Sequence, residues 1–160
     1  QGAGQVRAAY PGDHLSVFRI DGVPCSIIVC HDERYPELVR LPVLAGSLVE
    51  FYLSHESGLD SPRKMGPYPT QIQARAVENS VFVVQANAPA NADQSGSHGE
   101  SRIIAPDGNL IEEAGVVNEQ VLMATLELKQ ATGWLARRSV ELGTLGEWWK
   151  SGVDLVRIIE

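Results

Sequence analysis

The chain is 160 residues long, with 44% hydrophobic and 21% charged residues, the balance of a single globular unit able to bury a core. Its net charge of −7 argues against nucleic acid and against an anionic membrane as partners, since both select a basic surface. No apolar run approaches the ~20 residues of a membrane span.

The opening QGAGQVRAA has no periodicity and reads as loop or a detached edge. It carries no signal-peptide pattern, and residue 1 is Gln rather than Met, as in a processed or truncated chain. A Pro11-Gly12-Asp13 turn leads into LSVFRI, whose alternation predicts a half-buried strand. Asp21-Gly22 is a hairpin signal, and CSIIVC after it is a fully apolar strand. In HDERYPELVRLPVLAG a helix is expected from near Pro36, a residue suited to a first turn. Pro42 should kink that helix or end it early.

LVEFYLS is the next strand, followed by a Pro/Gly/Ser-rich loop from His55 to Pro69. Thr70 is the expected N-cap of QIQARAVENS, where Ile72, Ala76 and Val77 share a face. VFVVQANA is a strand, with a polar loop through Gly99 behind it. SRIIAPDGNLIEEAG turns on Pro106-Asp107-Gly108 as a hairpin, and QVLMATLEL is expected as its next strand neighbour. Beyond Gln130, Trp134, Trp148 and Trp149 stand among charges and predict packing or oligomer contacts. Strands alternating with two helices, then strands alone, give a layered α/β arrangement.

The two cysteines are five residues apart on one apolar run, so Cys25 and Cys30 should face opposite ways and form no disulfide. Reduced cysteines fit a cytoplasmic protein. Cys30 ends a buried strand where a helix begins within about six residues. There a thiol meets the positive end of a helix dipole and exposed backbone N–H groups, which favour a thiolate and can hold an oxyanion. By residue type alone, a buried core cysteine is the competing reading.

The string GVPCSIIVCHDERYPELVR resembles the nucleophile segment of nitrilase-superfamily amidases, of the form G-x-x-x-x-x-x-C-x-D-x-R-[aromatic]-P-E-x-x-R. Further matches follow in order: Gln73-Ala74-Arg75-Ala76-Val77-Glu78-Asn79, Val83-Val84-Gln85-Ala86-Asn87, Gly99-Glu100-Ser101, Pro106-Asp107-Gly108 and QVLMATLEL. The resemblance covers nearly all of the chain to about Leu128. It implies a four-layer αββα sandwich, of which residues 1–160 are the C-terminal half, with 130–160 as an oligomer-contact tail. It also implies a Cys-Glu-Lys catalytic set in which Cys30 attacks an amide or nitrile carbon and Glu is general base and acid. Lys and the backbone N–H of His31 would hold the oxyanion on the way to a thioester.

In that family the Glu and Lys precede the Cys. Here the first Glu is Glu33 and the first Lys is Lys64. The family's additional Glu would fall near Gln5 or Val6. The N-terminal half of the domain is therefore required as a partner, for its Glu and Lys and for strands to pair with this sheet.

Of the remaining polar residues, His31 should point away from the chemistry, and Asp32 with Arg34 should pair to fix the turn. Arg75 and Glu78, at i and i+3, form an ion pair within the scaffold. His55, Glu56 and Asn87 are candidate substrate contacts at strand ends, with a solvated loop the competing reading for the first two. His98 is expected to be solvated.

The leading functional expectation is an amidohydrolase of a linear amide or N-carbamoyl substrate, because His31-Asp32 replaces the Trp-Glu usual after the cysteine of true nitrilases. It needs no cofactor and no metal, and it is expected as a homo-oligomer. Two alternatives stand beside it. One is a catalytically inactive binding domain, and the other a papain-like hydrolase using His98 and Asn87.

Overall fold

The computed structural model describes residues 12–56, 67–93 and 95–159. The expectations for residues 1–11, and for most of the loop between His55 and Pro69, lie outside these. Leu15–Ile20 and Val23–Val29 form β1 and β2, joined by Asp21 and Gly22 at φ 48° and 81°. Positive φ at both central residues is the mirror-image turn that matches strand twist. The two strands accordingly pair antiparallel, Val17 against Ser26.

From β2 the chain crosses through helix α1 (Pro36–Leu44) to β3 (Val49–Ser54), then through α2 (Pro67–Asn79) to β4 (Phe82–Asn87). These three strands are parallel, as helical crossovers require. Strands β5 (Arg102–Ile104) and β6 (Leu110–Glu113) add antiparallel at one side. Helices α3 (Trp134–Glu141) and α4 (Gly146–Val153) precede β7 (Val156–Ile158), which returns parallel beside β1. The strand order is β6-β5-β4-β3-β2-β1-β7.

The two faces of the sheet differ. On one, Ile28, Tyr52 and Val83 pack with Ile104 against Val39 of α1 and Ile72 and Ala76 of α2, in one buried cluster. On the other, Cys25, Val49 and Phe82 stand in a row, covered by Ala131 and by Leu126 and Leu128. Further along that second face the cover stops: Ile27 is 45% exposed, Val29 55% and Leu53 43%. Apolar strand residues with no layer above them among the described residues have the character of a contact surface.

Several local expectations are corrected. Helix α1 continues beyond Pro42 to Leu44. Pro42 falls in the last turn, and burial of Val39, Leu41 and Val43 holds that turn in place. Helix α2 begins at Pro67 rather than after Thr70, since proline's fixed φ suits a first turn. Residues 121–127 have no strand partner among the described residues. Leu122, Ala124 and Leu126 line a groove with Phe51 and Val84, while Val121 and Met123 are exposed. The period is that of a strand. In the tail, Trp149 is buried with Arg40 stacked 5.4 Å from its ring centre, whereas Trp134 and Trp148 are exposed.

Candidate active site

Cys30 follows the last residue of β2 and takes φ 50°. Outside glycine that conformation is costly and persists only where the surroundings fix it. Cys30–Arg34 form a short 3₁₀ turn closed by the Tyr35 N–H donating to the Asp32 carbonyl at 3.1 Å, after which Pro36 opens α1. The register Val29–Leu53–Ala86 places Cys30 beside Ser54, which itself aligns with Asn87. Neighbouring strands run ~4.8 Å apart, so residues 30, 54 and 87 form one row along the carboxyl ends of the parallel strands. Such ends are where open α/β sheets bind ligands.

Both thiols are free; Cys30 is half-buried and Cys25 buried. The Cys25 Sγ donates to the Val23 carbonyl at 3.3 Å. Burial pushes the Cys25 thiol up, and the Glu50 carboxylate adds to the effect. A thiol in that position is inert.

Glu33, at the middle of the Cys30 turn, is 1% exposed. Its carboxylate accepts from the Ser54 hydroxyl at 3.3 Å. Its carbonyl accepts from Gln71 Nε2 at 3.0 Å and Arg75 Nε at 3.3 Å, so α2 grips the turn from behind. Burial pushes Glu33 up to about 8, the neighbouring Glu56 carboxyl reinforces this, and Ser54 and Arg34 only partly oppose it. Glu56 is buried too, with one carboxylate oxygen paired with His98 Nε2. Its other oxygen, and His98 Nδ1, have no hydrogen-bond partner among the described residues.

Asn87 braces this group. Its Oδ1 accepts from the Glu56 N–H at 3.1 Å and the Ser97 hydroxyl at 3.0 Å, and its Nδ2 donates to the Gly99 carbonyl at 2.8 Å. That commits the amide to the protein. Gly99 lies at φ 65°, and a Cβ there would meet the Val116 carbonyl oxygen at 2.2 Å. The approach of two backbones holds the loop that carries His98.

The sequence-based candidates thus divide. Cys30, Glu56 and Asn87 lie at adjacent chain ends, with the backbone of His31 opening the turn. The His31 ring is exposed, 3.3 Å from the Tyr35 hydroxyl, and His55 is exposed. His98, expected in solvent, is buried against Glu56; its partner is 42 residues away, and no local pattern announces it. The expected Asp32–Arg34 pair is absent among the described contacts, and Arg34 instead lies 5.0 Å over the Tyr68 ring. Arg75 and Glu78 do pair, at 3.0 Å. Glu33 stands in the polar run H-D-E-R, where no local pattern announces its burial. No cluster of three or more His, Cys, Asp or Glu among the described residues is arranged to hold a metal.

Comparison with known proteins identifies the family and the fold. The profile of the carbon-nitrogen hydrolase family matches residues 4–136. A 2-oxoglutaramate amidase from Bacillus subtilis is 32% identical over 120 residues, covering 75% of this chain and 44% of that protein. Among solved structures, Nit3 of Saccharomyces cerevisiae, a member of branch 10 of the nitrilase superfamily, shares the fold at TM-score 0.69 and 24% identity, over 88% of this chain and 50% of that one. A variant of the amidase from Nesterenkonia sp. AN1, with the acetamide moiety of fluoroacetamide added covalently at its active-site cysteine, is 27% identical at TM-score 0.59, over 73% of this chain and 43% of that one. The chain spans less than half the length of the curated relatives it matches.

Proposed function

The chain belongs to the carbon-nitrogen hydrolase family, and from that premise we propose that it carries the nucleophile of an amidohydrolase acting on a linear amide or N-carbamoyl compound. The observation that carries the reading is the placement of Cys30. It is a half-buried free thiol at the carboxyl end of a parallel strand, held at positive φ, with a turn and a helix start directly behind it.

In the proposed reaction the Cys30 sulfur adds to the carbonyl carbon, and the developing oxyanion takes a hydrogen bond from the His31 N–H. The C–N bond breaks as the leaving nitrogen receives a proton, giving ammonia or an amine and a thioester on Cys30. Water then adds to the thioester, releasing the acid and restoring the thiol. Proton transfer in both halves belongs to a Glu, with a Lys assisting the oxyanion. Within these 160 residues neither type precedes Cys30, so the proposal draws them from sequence outside these residues or from another chain.

The open apolar face supports this. Covering Ile27, Val29 and Leu53 would contribute on the order of 1 kcal/mol each, given their half-exposure. On the same face, Leu122, Ala124 and Leu126 line a groove with Phe51 and Val84 and have no strand partner among the described residues. The same reading includes self-association through the exposed tail residues Trp148, Leu155 and Ile158, and a cytoplasmic setting, for which two free thiols are the support. A second reading is an inactive amide-binding domain, in which the same site holds an amide without cleaving it. Ammonia release from a panel of small amides, measured on protein carrying the upstream sequence, separates the two. Turnover abolished by Cys30→Ala supports hydrolysis, and amide binding without turnover supports the binding domain.

A further inference from the structure

We infer that Tyr68 is a positioning residue for the turn that carries Cys30. Its ring joins Arg34, the last residue of that turn, to His98 in the loop after β4. The junction holds Cys30 and the His31 N–H together at the strand ends, a role that rests on reading Cys30 as the nucleophile.

The turn needs a hold from outside. Cys30 takes φ 50°, and a residue other than glycine keeps such a conformation only where its neighbours fix it. One face of α2 supplies much of that hold. Tyr68, Gln71 and Arg75 are spaced three and four apart, so they stack along one side of the helix. Gln71 Nε2 and Arg75 Nε donate to the Glu33 carbonyl at 3.0 and 3.3 Å, and Arg75 Nη2 donates to the Arg34 carbonyl at 3.5 Å. Those two side chains fix the backbone of the turn. Tyr68 takes its last side chain: the Arg34 guanidinium carbon lies 5.0 Å from the centre of the ring, within the range in which an aromatic face attracts a cation.

Tyr68 is itself held by a second neighbour. Its ring is buried and tilted 57° to that of His98, with centroids 6.0 Å apart, within the spacing of aromatic pairs. His98 is fixed in turn, because its Nε2 is paired with the buried Glu56 carboxylate. The Glu56 N–H donates to Asn87 Oδ1 at 3.1 Å, which anchors this end to β4. Arg34 is exposed and has several rotamers open to it, so the stack on Tyr68 selects one. The ring thus passes the fixed placement of the strand ends on to the turn.

The test uses the protein that carries the upstream sequence and reads two quantities, amide hydrogen exchange at residues 31–35 and the rate of Cys30 alkylation by iodoacetamide. Tyr68→Leu removes the ring, and Arg34→Met removes the cation while keeping its stem. Each should speed the exchange about two- to fivefold, the worth of one exposed cation–π contact. Each should slow Cys30 alkylation by a similar factor, because the thiol loses its fixed place beside the helix start. The double variant should be no worse than the more affected single one, since both changes break one contact. Tyr68→Phe keeps the ring and should match wild type. A ring that only fills space would lower the urea midpoint in Tyr68→Leu, leave Arg34→Met at wild-type values and give additive effects in the double variant. That result overturns the role, as does a Tyr68→Phe variant as impaired as Tyr68→Leu. If Tyr68→Leu does not fold, Arg34→Met decides, and wild-type exchange and alkylation in it overturn the role. If fluoroacetamide leaves Cys30 unmodified while exchange shows the coupling, the nucleophile reading fails and the clamp stands. Capture at Cys30 without the coupling gives the reverse.

Discussion

Replacing Glu50 by glutamine should make the chain more stable at pH 8 and no more stable at pH 4.5. Glu50 lies in β3 on the helix-covered face and is fully buried. One oxygen accepts from the Ser26 hydroxyl, and the other has no partner among the described residues. Burial pushes its carboxyl up to about 7 from 4.5, with Ser26 and Ser47 opposing. A raised folded-state value means that the stability held by the bound proton is fully present below about pH 4.5. It is lost as pH rises through about 7. At 1.36 kcal/mol per unit, that interval is worth about 3 kcal/mol. Gln keeps an acceptor for Ser26 but must bury an amide NH₂, at about 1–3 kcal/mol if it finds no partner. The net gain at pH 8 is therefore up to about 2 kcal/mol. Urea unfolding followed by circular dichroism from pH 4 to 9 measures it. The wild-type curve should fall between pH 4.5 and 8, and the variant should keep only the part that Glu33 supplies. Parallel curves, or a variant as destabilised at pH 8 as at pH 4.5, would refute the reasoning.

Other outcomes follow from the same structure. Gly99→Ala must push a Cβ into the Val116 carbonyl at a positive φ, so it should cost about 2 kcal/mol or more, read as a lowered urea midpoint; an unchanged midpoint contradicts it. Val29→Lys, on the open apolar face, should reduce self-association through that face in sedimentation while changing the unfolding free energy by no more than about 0.5 kcal/mol. Under limiting iodoacetamide, Cys30 should be labelled before Cys25, which is buried and whose thiol is pushed up; mass mapping that finds Cys25 first defeats the assignment.

Much of this arrangement is legible in the chain because its signals are local. Asp21-Gly22 fixes a hairpin, an apolar run delivers Cys30 to a turn, and Pro36 opens the following helix. What stayed hidden depends on distant partners. Glu33 and His98 each look like surface residues among polar neighbours, and only the alignment of β2 beside β3, with the loop after β4 folded over, buries them together. QVLMATLEL has a strand's alternation, yet pairing is a property of two segments, and its neighbour is not among the described residues. Asn87 stands at the end of β4, where its position in VFVVQANA puts it, and its amide braces Glu56 and Gly99.

The most direct test of the central claim is covalent capture at Cys30. Incubating the protein that carries the upstream sequence with fluoroacetamide and mapping the adduct by mass spectrometry should place an acetamide group on Cys30, with Cys25 unmodified and none captured by Cys30→Ala. Capture at Cys25, or equal labelling of the native and the denatured thiols, would show that the end of β2 is not where this protein does its chemistry.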